Sequence, residues 1–408
     1  MRIAFLSVSA EMGGSEVSLL ELVRGLRRLA PEVEPVVVVP REGALAARII
    51  EAGGSVRVLP MPAALASFGE WSMRGPSALV RGGGALLNAA GALGPYRRAL
   101  SALLDEIAPD VIHTNGFKLH VIGSRAARAG VPVVWHVHEY VSHRPLSRRL
   151  LQHHASRVAA VVANSRSVAD DARSVIGAET PITTIYNAVD LQEFAPAGNA
   201  ADLDALCGLP PAAAGTVRVG LIATFARWKG HELFLRAIQR LRAGLPIRAY
   251  VIGGAVYDTA GSQHTVEELR AFAASLGIGD RVGFTGFIER PATAMRALDV
   301  IVHASTEPEP FGLAIAEGLA CGRAVIVSAA GGAAELVEHD VDALTFAPGD
   351  VAALTGTLER CAVDAGLRGR LGAAARQTAV RRFNPDVFAR EFLKLYERAA
   401  LQAATVTT

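Results

Sequence analysis

Cysteine is scarce in this 408-residue chain: only Cys207, Cys321 and Cys361, none at a spacing that suits a metal or a redox pair. That excludes a disulfide framework and fits small buried thiols in a reducing compartment. Aromatic residues make up only 6%, and none form a platform interleaved with basic residues, nor is there a nucleic-acid reading motif. Long apolar runs are also missing. Residues 1–10 are apolar but too short to span a bilayer, and they run into Glu11-Met12-Gly13-Gly14 rather than a processing site. They are expected to form the first strand of a cytoplasmic protein. Neither sign of charge dominates, with 41 Lys and Arg against 39 Asp and Glu. What remains is a globular composition, half hydrophobic and a fifth charged, long enough for two α/β domains with separate cores.

The small net charge hides an uneven distribution. Residues 60–160 carry eleven Lys or Arg and five Asp or Glu, including Arg97-Arg98, Arg144 and Arg148-Arg149. Such a surface is either a solvated face or one that rests on anionic lipid headgroups at the inner side of a membrane.

Strand-like and helix-like patterns alternate almost throughout, the mark of a parallel sheet covered on both faces. Strands are expected at 2–9, 33–40, 55–59, 131–136, 158–163 and 182–185, with Asp110 to Gly116 ending another. Helices are expected from Gly13-Gly14 to about residue 30 and over Ala44–Glu51. Residues 60–95, with Pro60, Pro62, Pro76 and Gly82-Gly83-Gly84, read as a long irregular stretch. Residues 195–215, rich in Ala, Pro and Gly, read as a linker plus a short helix. The second half continues with strands at Ile247–Ile252, 281–284 and Ala324–Ser328, and helices at 350–361, 367–381 and from Asn384-Pro385 to about residue 400. No internal repeat is present.

The most informative stretch runs from Ser305 to Glu335. A buried strand at 298–303 is broken by Glu309-Pro310-Phe311-Gly312, and Leu313–Ala320 then has helical spacing. The free N–H groups at such a helix start suit a diphosphate. Glu309 lies just before the helix and Glu317 about two turns along it. Because carboxylates repel phosphate, their partners are expected to be hydroxyls on rings flanking that diphosphate.

This segment resembles the Glu-x-Phe-Gly-x-x-x-x-Glu signature of the retaining family 4 glycosyltransferases, enzymes of the GT-B fold. The resemblance extends over essentially the whole chain, through Gly13-Gly14, His138-Glu139, Tyr186-Asn187-Ala188-Val189-Asp190, Lys229-Gly230, Gly253-Gly254, Phe287-Ile288 and Gly331-Gly332-Ala333-Ala334-Glu335. It implies an α/β protein of two Rossmann-like doubly wound domains facing a cleft. The expected boundaries are 1–192 on the acceptor side, 193–382 for the nucleotide sugar, and 383–408 as a helix crossing back to the first domain. The resemblance places donor-binding residues at Gly14, Arg227, Lys229, Gly253, Phe287, Ile288, Glu309, Phe311, Gly312, Leu313 and Glu317. It also places His138, Lys229 and Glu309 in catalysis, with Glu139 a lesser candidate, and it assigns residues 60–95 to acceptor selection. One departure is visible: where the family has Gly-Arg, this chain has Ala223-Thr224, leaving Arg227 as the substitute cation.

The implied reaction moves a sugar from a nucleoside diphosphate to a glycan or lipid-linked acceptor hydroxyl, with retention, in cell-surface glycan or glycolipid synthesis. Nucleic acid is not an expected partner. Asp202-Leu203-Asp204 and Asp340-Val341-Asp342 have the Asp-x-Asp spacing of metal-dependent transferases, but both fall in linker or loop context. No metal or other cofactor is expected, the donor being a substrate. His136 and His138 share a face of an extended chain, too few ligands for a metal. Two alternatives stay open: a sugar-nucleotide epimerase, and a non-catalytic scaffold of the same fold.

Overall fold

A computed structural model describes residues 1–66, 77–143, 145–177, 179–255 and 262–407. The chain divides into two compact units: Met1–Ala188 with Pro385–Thr408, and Val189–Asn384.

The first unit holds strands β1 (Arg2–Ser7), β2 (Glu34–Val39), β3 (Ser55–Val58), β4 (Val111–Asn115), β5 (Val133–Val137), β6 (Ala160–Ala163) and β7 (Ile182–Thr184). They form one parallel sheet in the order β3-β2-β1-β4-β5-β6-β7. The runs Pro35 to Val39 and Val133 to Val137 are buried throughout, as expected of β-branched strands covered on both faces. One apolar cluster contains Ala4, Leu6 and Trp135, and another contains Ile3, Phe5 and Val134, so successive residues of β1 and β5 feed opposite faces. The last helix, Pro385–Thr407, belongs to the second of these clusters through Phe388, Ala389, Phe392, Leu395 and Tyr396.

The second unit holds β8 (Val217–Ile222), β9 (Ile247–Ile252), β10 (Val282–Gly286), β11 (Val300–His303), β12 (Ala324–Ser328) and β13 (Leu344–Phe346). These too are parallel, in the order β10-β9-β8-β11-β12-β13. In both sheets the strand order reverses once, between β1 and β4 and between β8 and β11. Ligands of open α/β sheets bind outside the carboxyl ends of the strands at such a reversal.

Several expectations are corrected. Residues 60–95 are not irregular where described: helices Ala63–Ala66 and Ser77–Ile107 occupy most of the stretch, and 67–76, Pro76 included, lie outside the described residues. Pro95 sits inside the long helix. Tyr96, Leu100, Leu104 and Ile107, spaced at helical intervals and buried, outweigh the one backbone bond that proline removes. Within Gly331 to Glu335 the chain makes a single 3₁₀ turn, Gly332–Glu335, and the final helix, expected to end near residue 400, continues to Thr407. The segment read as a linker plus a short helix does contain one, Leu203–Leu206, but Asp204 within it is a buried anchor rather than a loop carboxylate. It accepts hydrogen bonds from Arg248, Arg218, Tyr250 and the Ala212 amide.

Candidate active site

Every candidate residue of the second unit lies in a loop or turn leaving the carboxyl end of a strand, or in the helix that follows. Lys229 follows β8, Gly253 follows β9, Phe287 and Ile288 follow β10, and Glu309 to Glu317 follow β11. Three contacts tie these turns together. Gly332 donates its amide to the Glu309 carbonyl at 2.7 Å, Thr306 donates its amide to the Trp228 carbonyl at 2.8 Å, and Ser328 donates its hydroxyl to the Ser305 carbonyl at 2.6 Å.

The centre of the arrangement is an ion pair. Lys229 Nζ lies 2.7 and 2.8 Å from the two carboxylate oxygens of Glu309. Ser305 Oγ donates to Glu309 Oε2 at 2.9 Å, and His303 Nε2 lies 3.2 Å from the same oxygen. A carboxylate only accepts, so this ring nitrogen carries the hydrogen. Burial pushes the Glu309 carboxyl up. The Lys229 ammonium and the hydrogen bonds from His303 and Lys229 outweigh it, holding the group well below the usual carboxylate range. Glu309 is therefore a fixed anion, and Lys229 a cation with its ammonium also 4.1 Å over the Trp228 ring.

Two glycines let these turns approach. Gly230 adopts φ +78°, and a Cβ there would stand 1.8 Å from the Ala304 carbonyl oxygen. Gly253 adopts φ +138°, and its Cβ would stand 1.9 Å from the Ala223 carbonyl oxygen. No side chain fits either place, so the backbones at the ends of β8, β9 and β11 come closer than any other residue permits.

Gly312, with a left-handed backbone, precedes helix Leu313–Ala320, which has no side-chain cap. Its first N–H groups have no carbonyl one turn back within the helix and point outward from its start. Phe311 is buried with its ring edge-on to Phe383 at 5.9 Å. Glu317, half-buried on the same helix, has no hydrogen bond or ion pair to its side chain among the described residues, and burial pushes its carboxyl up to about 8. The two glutamates thus differ in kind: one a neutralised anion, the other a carboxylic acid at neutral pH. Phe287 is 71% exposed, leaving an aromatic face open to solvent.

In the first unit, Gly14 opens helix Gly14–Leu29 after β1, and His138 follows β5. His138 Nε2 lies 2.6 Å from Asn115 Oδ1, at the end of β4. Asn115 gives its amide N–H to the Ser15 carbonyl, which orients its oxygen toward the histidine. His138 therefore donates from Nε2. Burial lowers its imidazole to about 3, so the ring is neutral and Nδ1 is an acceptor. The rings of His136 and His138 lie 3.9 Å apart, on one side as their alternation implies. Glu139 is exposed.

Comparison with known proteins bears on this geometry. Residues 12–193 match the family model described as Glycosyltransferase Family 4, and residues 214–378 the one described as Glycosyl transferases group 1. The chain is 30% identical over 429 residues to a D-inositol 3-phosphate glycosyltransferase of Xylanimonas cellulosilytica, covering 98% of this chain and 97% of that one. The crystal structure of Anabaena HepE in complex with UDP-glucose superposes with a TM-score of 0.78 at 25% identity, over 98% of this chain and 100% of that one. This chain belongs to the GT-B glycosyltransferases. A shorter similarity, 34% over 188 residues, links it to the lipopolysaccharide core mannosyltransferase LpcC of Rhizobium leguminosarum, covering 46% of this chain and 51% of that one.

Within this glycosyltransferase the structure brings Lys229 and Glu309 together and leaves Arg227 apart from them. The Arg227 guanidinium lies 3.2 Å from His264 Nδ1 and 3.5 Å from Glu268, on the side of helix Val266–Ser275. Both Asp-x-Asp pairs serve local structure. Asp202 caps helix Leu203–Leu206, Asp340 pairs with Arg360, and Asp342 accepts from Thr378 and the Glu338 amide. Sequence reasoning missed His303, Ser305 and Asn115, the groups that hold Glu309 and His138. Their signal was position alone: each stands at or just past the carboxyl end of a strand next to the reversal of strand order.

Proposed function

We propose that this glycosyltransferase takes its sugar from a nucleoside diphosphate and passes it to an acceptor hydroxyl with retention at the anomeric carbon, in the synthesis of a cell-surface glycan or glycolipid. The observation that carries the reading is the Lys229–Glu309 pair set beside the uncapped start of the Leu313–Ala320 helix. A cation and helix amides offer the leaving diphosphate its counter-charge, and the neighbouring carboxylate offers an acceptor for sugar hydroxyls. Glu317, protonated, offers ribose a donor as well as an acceptor. Phe287 offers the base an apolar surface, and main-chain groups at Gly253 and Ile288 lie at neighbouring strand ends. That the relative HepE was crystallised with UDP-glucose supports a donor of this class.

In the step itself the bond from the anomeric carbon to the diphosphate oxygen breaks as the bond to the acceptor oxygen forms on the same face. The acceptor's proton passes to a phosphate oxygen of the departing diphosphate. Lys229 takes up leaving-group charge, and Glu309 holds the sugar in place. His138, neutral, accepts a hydrogen bond at Nδ1, and Gly14 keeps its turn open to phosphate or acceptor. The reading needs no metal, since Lys229 and the helix amides supply the positive field.

A panel of nucleoside-diphosphate sugars tests this by thermal shift and by turnover. One donor at about a hundred times its Kd is expected to stabilise the protein by about 2.7 kcal/mol, several degrees of Tm. Lys229→Ala is expected to abolish that shift. The anomeric configuration of the transferred sugar, read by NMR, should match the donor's. No shift with any donor, or an inverted product, overturns the reading.

A further inference from the structure

Residues 111–160 contain seven Lys or Arg (Lys118, Arg125, Arg128, Arg144, Arg148, Arg149, Arg157) and one acid, Glu139. Arg144 lies outside the described residues. Lys118 donates to the Ala66 carbonyl, and Arg128 stands 3.8 Å from Asp105. The other four are exposed, and among the described residues none has a carboxylate partner.

These four share one region of the first unit. Arg125 is in the last turn of helix Phe117–Ala126, Arg148 and Arg149 are in helix Pro145–His154, and Arg157 ends the 3₁₀ turn that continues it. The two helices pack against each other. Burial lowers the His154 imidazole, and the positive charges of Arg125 and Arg157 add to that, so both arginines stand near this histidine.

Helical spacing arranges the exposed side. Leu151 and His154 are buried against the unit. At 3.6 residues per turn, Arg149 and His153 stand one above the other on the opposite side, with Arg148 and Leu150 flanking them. Leu150 is 43% exposed in the midst of these cations.

Like charges at this density repel one another, and no carboxylate among the described residues offsets that, so the matching charge is sought outside the protein. The exposed leucine selects the source. A soluble polyanion gives it nothing, whereas the boundary between headgroups and acyl chains receives an apolar side chain beneath a ring of cations. We propose that this face docks the protein on a membrane surface rich in anionic lipid, with Arg125, Arg148, Arg149 and Arg157 at headgroup phosphates and Leu150 inserted below them. The proposal is independent of the donor assignment, because it involves none of those residues.

The full-length protein is sedimented with vesicles of pure phosphatidylcholine or of phosphatidylcholine with phosphatidylglycerol, in low and high salt. Binding is expected only to the anionic vesicles, and raising salt should weaken it by screening. Each arginine at such a surface is worth about fivefold in affinity, so Arg148→Ala/Arg149→Ala should lose about 30-fold. Leu150→Ser should also weaken binding, and Arg240→Ala, exposed on the second unit, should leave it unchanged. All three variants should keep the parent's Tm, because the altered side chains face solvent. Equal binding to both vesicle types, undiminished binding by the double variant, or binding to heparin without binding to vesicles would overturn the proposal.

Discussion

Replacing Lys229 with methionine keeps the bulk of the side chain and removes the charge that neutralises Glu309. In the unfolded chain Glu309 titrates near 4.5, and in the fold it lies well below that. The wild-type pair is therefore at full strength above pH 4.5 and is lost only as pH falls through the lower, folded value. Without the ammonium the buried carboxylate still accepts from Ser305 and lies beside His303, but has lost its counter-charge from Lys229. Burial then drives it to take up a proton on folding. Protonating at pH 7 a group that titrates near 4.5 costs about 1.4 kcal/mol for each of about 2.5 units, so that penalty has a ceiling of about 3.5 kcal/mol. Urea unfolding of Lys229→Met should show a loss of about 2–3 kcal/mol at pH 7. Because the folded variant now binds the extra proton, its stability should rise relative to wild type as pH falls toward 5. Lys229→Met/Glu309→Gln, which removes the charge altogether, should recover most of the loss. A deficit below about 0.5 kcal/mol that is the same at pH 5.5 and 7.5 would refute the argument, since the pair would then behave as a solvent-screened surface contact.

The Glu317 carboxyl is raised, the opposite case, so its contribution is most favourable below pH 4.5 and declines as pH rises through about 8. Glu317→Gln should stabilise the protein by on the order of 1–2 kcal/mol at pH 7 and flatten stability between pH 6 and 9, by urea titration; an unchanged slope would contradict the assignment. Gly230→Ala must displace the Ala304 carbonyl and strain a left-handed backbone. A loss of about 3 kcal/mol or more, or failure to fold, is expected in denaturation and expression trials. Phe287→Ala should leave Tm within about 1 °C, its ring being exposed, while raising the Kd for nucleoside diphosphate severalfold by calorimetry. Sugar transfer should be unaffected by EDTA; a fall restored by a divalent ion would show that Lys229 and the helix amides are insufficient alone.

The limits of sequence reasoning follow from the range of the forces involved. Helices Ala44–Glu51 and Leu313–Ala320 and strand Ile247–Ile252 were legible to the residue, because periodicity and turn signals are local. The long helix Ser77–Ile107 was not, because its glycines and Pro95 signal a break that burial of Tyr96, Leu100 and Leu104 overrides. Asp204 looked like a loop carboxylate until Arg248, Arg218 and Tyr250, from two distant strands, closed around it.

The order of residues alone determined the alternation of strands and helices, the parallel sheets it requires, and the presence of Lys229, Glu309 and Glu317 near strand ends. Only the tertiary structure decided their chemistry. It joined Lys229 to Glu309 across 80 positions, left Glu317 without an ion-pair partner among the described residues, and turned Arg227 toward His264 and Glu268. The reason is physical: a carboxyl's charge state depends on its desolvation and on the ions within a few ångströms, and those neighbours are set by which strands lie side by side.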